Sequence, residues 1–559
     1  MPLPENCSAQ DEQKSFSPAK NLQMPPRQII RYALVPVVLT TLLLASLLLA
    51  RSGTGSQEKA KAPANTQRAQ ATSVSSAPLD TALAQEIDRA IDQSDQTQAR
   101  WGVFVMSMKD DRVLYSRNGD RLFTPASNMK IYTTAVALEL LGAEYRWRTS
   151  VYVDKQPDAQ GTISGDITLY GRGSPDLVAI GKVPKPSLAQ FADQLYQSGV
   201  RNVRGNVIGD ESYFRGDLFG LGWQWNDLQW YFGAEPSALT IDENSFEVTI
   251  APAKKTGDAA SVALNRDTGF VHLLNNTNTA ERDATTTIGI NRGLSSNELR
   301  VWGDFPVGGR SFSAFLSVHN PALWAATLFK KALIARGIKV DGEVRSRDAR
   351  APEKERFDPQ KAFEIAYQDS ATLGEIARQT NKESNNLFAE LILRTLGKER
   401  GESAPDPDPR KNRERGDDQA GSAVIKSWLD RNSIPNEGLA IRDGSGLSRL
   451  DLVTPEATTR LLVAMGKTNS ATIFHDSLPI AGRDGTLSSR LKSAAGRVFA
   501  KTGTISYVHS LSGYAVAENG EVLAFSIFCN DATGRTNPVR LIDDIAHLLT
   551  SYPKTAAQK

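Results

Sequence analysis

The chain has 559 residues, enough for two to four domains, with a globular composition of 40% hydrophobic and 23% charged residues and a net charge of +2. So even a balance leaves no electrostatic footprint for nucleic acid, and no basic stripe is interleaved with aromatics. The five histidines (His272, His319, His475, His509, His547) stand apart and neither cysteine has a Cys or His neighbour, so no metal or other cofactor is expected.

Residues 1–32 form a polar tail ahead of an uncharged apolar run, 33–50. Eighteen residues is the lower edge of a bilayer span. A cleaved signal peptide is the rival reading, but the tail is long. The nearest Ala-Xaa-Ala words, Ala60-Lys61-Ala62 and Ala62-Pro63-Ala64, lie well past the run, so an uncleaved signal anchor is expected. Lysines and arginines flank it on both sides, and orientation is not decided by charge. Residues 51–80 are rich in Ala, Ser, Thr and Gln and read as a flexible linker.

The region 81–149 opens on a helical pattern over about 79–91 and continues with strands at 102–108 and 113–116. A helix from about Ser127 follows and stops at Gly142. From 150 to 357 short strand-like runs alternate with Gly, Asp and Asn turns, and a helix over 321–336 ends at Gly337. In 358–559 helices are expected at 373–380 and 387–396, and a solvated loop at 399–418, which has almost no apolar residue. A strand at 498–504, a hairpin of 511–517 and 521–529 turned by Asn519-Gly520, and a last helix near 537–552 complete the chain. The pattern predicts one α/β domain interrupted by a mostly β insertion.

Three words carry chemistry. Ser127 and Lys130 are three apart on the expected helix, which puts hydroxyl and amine on one face, where a neutral amine can take the serine proton. The spacing alone says little, since Ser17–Lys20, Ser56–Lys59 and Ser489–Lys492 share it. Ser127 differs in opening a strongly apolar helix directly after Thr124-Pro125-Ala126. Ser384-Asn385-Asn386 joins two helical segments, where a helix cap is the bland alternative. Lys501-Thr502-Gly503-Thr504 lies on an expected strand, its glycine suggesting close approach of another backbone and its lysine able to bind a carboxylate.

In this order the three resemble the Ser-Xaa-Xaa-Lys, Ser-Asp-Asn and Lys-Thr-Gly set of serine β-lactamases and penicillin-binding proteins. The flanking words are PASNMK (125–130), GWQWNDLQWYFGAEPSALT (222–240), NPALWAATLFKKALIARGIKV (320–340), NKESNNLFAE (381–390), RDGSGLSR (442–449), LPIAGRDGTLSSR (478–490) and AKTGTISYVHSLSGYAV (500–516). With them the chain, over about 80–552, is similar to the class C low-molecular-mass penicillin-binding proteins, the D-Ala-D-Ala carboxypeptidase/endopeptidases.

The resemblance implies an α/β fold, a penicillin-binding-protein/serine β-lactamase-like transpeptidase domain interrupted by a mostly β inserted region. It implies an acyl-enzyme on Ser127 with Lys130 as proton acceptor, Ser384 relaying a proton to the leaving amine, and Asn386 orienting Lys130 and holding the substrate peptide. Lys501 and Thr502 would bind the terminal carboxylate beside Gly503, and the N–H groups of Ser127 and Thr504 would form the oxyanion hole. Two nearby lysines also disfavour double protonation. Expected partners are peptidoglycan stem peptides, β-lactam antibiotics as covalent inhibitors, and the cytoplasmic membrane through the anchor, with the catalytic domain on the outer side. The family's Gly-Asp-Pro word is here Gly173-Ser174-Pro175-Asp176, so either Asp176 substitutes as a substrate-binding carboxylate or that contact is lost. A β-lactamase is the second enzyme reading. Glu235-Pro236, however, precedes the Ser-Xaa-Asn word, whereas the deacylating glutamate of class A follows it.

Overall fold

A computed structural model describes residues 81–553, apart from 181–184, 267, 353–354 and 412. The expected anchor and linker lie outside the described residues, among which no helix is long and apolar enough to cross a membrane.

The strand Arg100–Ser107 is apolar on both faces because helices cover both. Trp101, Val103 and Val105 enter one core, and Phe104 and Met106 the other. It lies fourth in a five-stranded antiparallel sheet ordered Val498–Ile505, Val508–Val516, Val522–Asn530, Arg100–Ser107, Val113–Arg117. Pairing of Arg100 with Asn530 and of Ser107 with Leu523 thus closes the segments before and after the insertion into one sheet. Helices Thr81–Asp92 and Pro538–Thr550 cover one face with Leu83, Ile87 and Ile91 and with Ile542, Ile545 and Leu549, each set at helical spacing.

Against the other face lies Pro455–Met465, and in the same core Asn386–Arg400 packs on the helix Met129–Leu141, which is buried on every side from Met129 to Leu138. Its sequence, MKIYTTAVALELL, has no polar stripe to turn outward, so Lys130 is carried into the core with it. Gly142, at φ +88°, ends the helix.

The insertion has its own core. A five-stranded sheet ordered Val344–Arg347, Val207–Asp210, Ile167–Tyr170, Arg148–Val153, Phe363–Asp369 packs on Leu188–Gln197 and Pro321–Arg336, and three three-stranded sheets complete the described part of the insertion. Pairing of Phe363–Asp369 with Arg148–Val153 draws the seam at Arg148 and Asp369. The helices Leu188–Gln197, Asp417–Arg431, Pro455–Met465 and Ala471–Ser477 were not anticipated from the sequence pattern.

The stretch 399–418 is, over its described residues from 401 to 416, the largely exposed loop expected, but it is tied down by ion pairs and bounded by two helices. Asn386–Arg400 runs into it and Asp417–Arg431 starts within it. Arg413 reaches the buried Asp406 at 3.1 Å, and Arg413 and Lys411 reach Asp217 of the insertion at 2.8 and 2.6 Å. Alternating charges close on one another here, where the sequence pattern alone implied only solvation.

Candidate active site

Ser127 sits in a single turn, Ala126–Asn128, that leads into Met129–Leu141. One helical turn on, the fully buried Lys130 amine lies 3.0 Å from Ser127 Oγ, 2.6 Å from Asn386 Oδ1 and 2.7 Å from the Ser445 carbonyl oxygen. Two of these three oxygens can only accept, while the serine hydroxyl can also donate. A neutral amine satisfies all three by donating to Asn386 and Ser445 and turning its lone pair to the Ser127 hydroxyl. Burial pulls the amine down to about 7, against the opposing charges of Asp443 and Asp451.

Ser384 lies between the helices Leu373–Lys382 and Asn386–Arg400 at φ +62°, and its Oγ accepts from Lys501 Nζ at 2.9 Å. Asn386 Nδ2 donates to the Phe232 carbonyl of the insertion at 2.9 Å, which turns Oδ1 toward Lys130. Lys501 is fully buried and also donates to the Thr502 carbonyl at 2.8 Å. Burial holds its amine well below the ordinary lysine value, and the charges of Lys130 and Arg490 push the same way.

Gly503 explains how the lysine strand, Val498–Ile505, reaches the nucleophile turn. A methyl group there would lie 2.2 Å from Ser510 Oγ and 2.8 Å from the Pro125 oxygen. Across this flush contact Asn128 Nδ2 donates to the Lys501 carbonyl at 3.1 Å and to Ser510 Oγ at 2.7 Å, and Ser510 Oγ donates to Pro125 O at 2.7 Å. Thr502 Oγ1 is 2.7 Å from Thr486 Oγ1, and Thr504 is exposed beyond the glycine. Ser127, Lys130 and Asn386 thus form one hydrogen-bonded set and Ser384 with Lys501 a second, carried on neighbouring residues of the same connection, Ser384 and Asn386.

Sequence reasoning assigned no chemistry to Asp443. Its buried carboxylate accepts from Ser445 N (3.1 Å), Ser445 Oγ (2.9 Å), Gly446 N (2.6 Å), Ser448 N (3.0 Å) and Trp223 Nε1 (2.7 Å). These bonds aim the Ser445 carbonyl at Lys130. The close spacing of Asp443-Gly444-Ser445-Gly446 was the available signal, since an Asp that bonds forward to its own backbone builds a tight turn. Burial raises the neighbouring Asp451 carboxyl well above its usual range, and Asp443 adds to the effect.

Asp176 is placed away from the chemistry. It is buried, with Oδ1 accepting from Ser174 Oγ at 3.1 Å and Oδ2 from Ala371 N at 2.9 Å. Ala371 precedes Leu373–Lys382 whereas Ser384 follows it, a helix of ten residues or about 15 Å. The expectation that Asp176 supplies a substrate-binding carboxylate is corrected accordingly: the side chain ties the insertion to the start of that helix. Another carboxylate, Asp227, lies on the same 222–240 segment as Trp223 and Phe232, which bond to Asp443 and Asn386. Burial raises the Asp227 carboxyl and the charge of Arg449 opposes. Arg449 in turn holds the Ser506 carbonyl at 3.0 Å, just past the lysine strand. Glu235 is buried inside the insertion, accepting from Asn320 N at 3.0 Å and lying 2.7 Å from His319 Nδ1. That environment is structural.

Residues 83–552 match the D-Ala-D-Ala carboxypeptidase 3 (S13) family. The chain is 34% identical over 485 residues to the D-alanyl-D-alanine carboxypeptidase of Actinomadura sp. (strain R39), covering 84% of this chain and 85% of that protein. It is 26% identical over 451 residues to D-alanyl-D-alanine carboxypeptidase DacB of Haemophilus influenzae, covering 79% and 88%. The crystal structure of penicillin binding protein 4 (dacB) from Haemophilus influenzae shares the fold at a TM-score of 0.70 and 23% identity, over 83% of this chain and 98% of that one. A serine, two buried lysines and a glycine-bearing strand around one cleft, on that fold and in that sequence context, place the chain in the D-Ala-D-Ala carboxypeptidase (S13) family of serine hydrolases.

Proposed function

We propose that Ser127 is acylated by the D-Ala-D-Ala end of peptidoglycan stem peptides, which makes the chain a serine-type D-Ala-D-Ala carboxypeptidase and D,D-endopeptidase. The observation that carries this is the Lys130 amine, buried, drawn down to about 7 and 3.0 Å from Ser127 Oγ. Ser127 Oγ attacks the carbonyl carbon of the penultimate D-Ala as its proton passes to Lys130. The N–H groups of Ser127 and Thr504 receive the negative oxygen. As the C–N bond breaks, Ser384 relays a proton from the lysine pair to the leaving amine. Water then attacks the ester, its proton returns to Lys130, and Ser127 is released. Lys501 and Thr502 hold the carboxylate of the leaving residue. When the leaving amine belongs to a neighbouring stem, the same steps cut a cross-link. Asp227 and Arg449 supply opposite charges for the groups of a stem side chain.

Incubation of the protein with defined muropeptides, separating release of terminal D-Ala from loss of cross-links, tests the proposal. Release of neither, with no adduct on Ser127 from penicillin, overturns it.

We also propose that residues 33–50 anchor the chain in the cytoplasmic membrane with the catalytic domain outside. The apolar run and the extracytoplasmic position of peptidoglycan support this. Membrane fractionation and N-terminal sequencing test it: a mature N-terminus between Ala50 and Ala64 means a cleaved signal peptide and a periplasmic enzyme.

A further inference from the structure

Two strained turns meet at the cleft, one from each domain. In the insertion Asp242, Glu243 and Asn244 have φ of +46°, +55° and +49°, three successive residues with side chains in the left-handed region. Such a run is costly for L-residues and persists only where the surroundings over-determine it, which happens chiefly at functional sites. The outer two residues hold the turn. Asp242 accepts from Ala179 N at 3.3 Å and pairs with Arg266 at 2.9 Å. Asn244, fully buried, accepts from Ile241 N at 3.0 Å and donates to Glu235 O at 2.8 Å and Thr240 Oγ1 at 3.1 Å.

The middle residue reaches across to the catalytic domain, where Glu243 Oε2 accepts from Asn385 Nδ2 at 2.9 Å. Asn385 is the residue between Ser384 and Asn386. Its Oδ1 caps the following helix at Phe388 N, 3.0 Å, and its N–H bonds to Thr380 O at 3.1 Å. Ser384 beside it is the other strained residue, at φ +62°. The cap fixes one end of the Asn385 amide and Glu243 fixes the other. Rotation of this side chain would loosen the helix start that aims Asn386 and the left-handed residue that aims Ser384.

We infer that Glu243 is a positioning residue for acylation: it locks Asn385 and, through it, the orientations of Ser384 toward Lys501 and of Asn386 toward Lys130. The inference rests on the roles proposed above for Ser384 and Asn386. It explains why the insertion keeps a costly turn beside the cleft, where a glycine would adopt the same backbone freely.

The test measures, on the full-length protein, the acylation rate constant and the pre-covalent dissociation constant for a fluorescent penicillin, together with thermal melting. Glu243→Ala should acylate about tenfold to a hundredfold more slowly with the dissociation constant little changed. Glu243→Gln, whose amide oxygen can accept from Asn385, should recover most of the rate. Glu243→Gly should melt no lower than the wild type, since glycine takes φ +55° without a Cβ clash, yet acylate as slowly as the alanine variant. Wild-type acylation by the alanine or glycine variant overturns the inference, as does loss of rate and melting temperature in step across all three. Ser384→Ala, run alongside, separates the two readings. If it acylates normally, the relay assignment and this inference fall together; if it is slow while Glu243→Ala is fast, this inference alone falls.

Discussion

Gly446 presses against the residue before the nucleophile: a methyl group on it would lie 1.7 Å from the Ala126 carbonyl oxygen and 3.0 Å from Ser127 N. Ala126 is itself at φ +47° and Gly446 at φ +82°, so the nucleophile turn is held in an uncommon shape by a loop that only glycine lets approach. Both clashing atoms belong to the backbone and have no flexible side chain to move aside. Gly446→Ala should therefore destabilise the fold by about 2 kcal/mol or more and slow acylation, measured by thermal melting and by the rate of penicillin adduct formation.

Ser127→Ala should leave the fold intact and remove covalent penicillin labelling, with turnover falling by about 10⁶, as for loss of a nucleophile in other serine hydrolases. Intact mass checks it: the wild type should carry one stable penicilloyl group, because the glutamate that the sequence offers for the class A deacylating part is buried inside the insertion. Glu235, the candidate by sequence, is occupied by His319 and Asn320. Labelling of Ser127→Ala at a different serine would falsify the assignment.

The acylation rate should follow the neutral fraction of Lys130. With the amine drawn down to about 7, the rate should fall about tenfold per unit below that pH and level off above it. Asp443 holds the amine up by its charge, so Asp443→Asn should move this acid limb to lower pH. Stopped-flow acylation from about pH 5 to 9 reads both effects. A limb that stays in place in the variant removes Asp443 from the electrostatics of the base.

Stability should carry the same signature with a defined sign. The folded Lys130 value lies below its ordinary 10.5, so between about 7 and 10.5 the unfolded chain binds the extra proton and stability rises with pH. Below about 7 the whole penalty of the buried amine is present. Lys130→Met, which lacks the amine, should therefore gain over the wild type more at pH 6 than at pH 9, by on the order of 2 kcal/mol, while failing to acylate. Denaturant melts at the two pH values give the difference. An equal effect at both would mean that the amine is not held low.

Lys501 should be read through the substrate's carboxylate. Amidating the terminal D-Ala should raise KM for the wild type by about tenfold or more, and Lys501→Ala should show little further discrimination between acid and amide. Steady-state kinetics with the paired peptides decide it, and unchanged wild-type kinetics on the amide would remove the carboxylate role from Lys501.

Ser127 and Lys130 were legible because a three-residue spacing on one helix is local, and the apolar run after them announced that the helix, with its lysine, would be buried. Strands such as Val498–Ile505 and the closing hairpin were legible from alternation and from Asn519-Gly520. The groups that orient the lysines were not. Lys130 and Asn386 are 256 residues apart, and two of the orienting acceptors, the carbonyls of Ser445 and Phe232, are backbone atoms that any residue would supply. Asp176 and Asp227 are both acidic residues near Pro- or aromatic-rich turns, and only packing decides that the first is consumed by Ser174 and Ala371 while the second meets Arg449. The charges of 399–418 implied a solvated loop, which the structure keeps, but only packing shows that Lys411 and Arg413 pair with Asp217 of the insertion. The sequence by itself determined which side chains could do the chemistry and which local elements carry them, because helix and strand periodicity are short-range. Only the tertiary structure decided which amines lose water, which carbonyls face them and which partner each carboxylate meets, because desolvation and hydrogen-bond geometry depend on segments that meet across hundreds of residues.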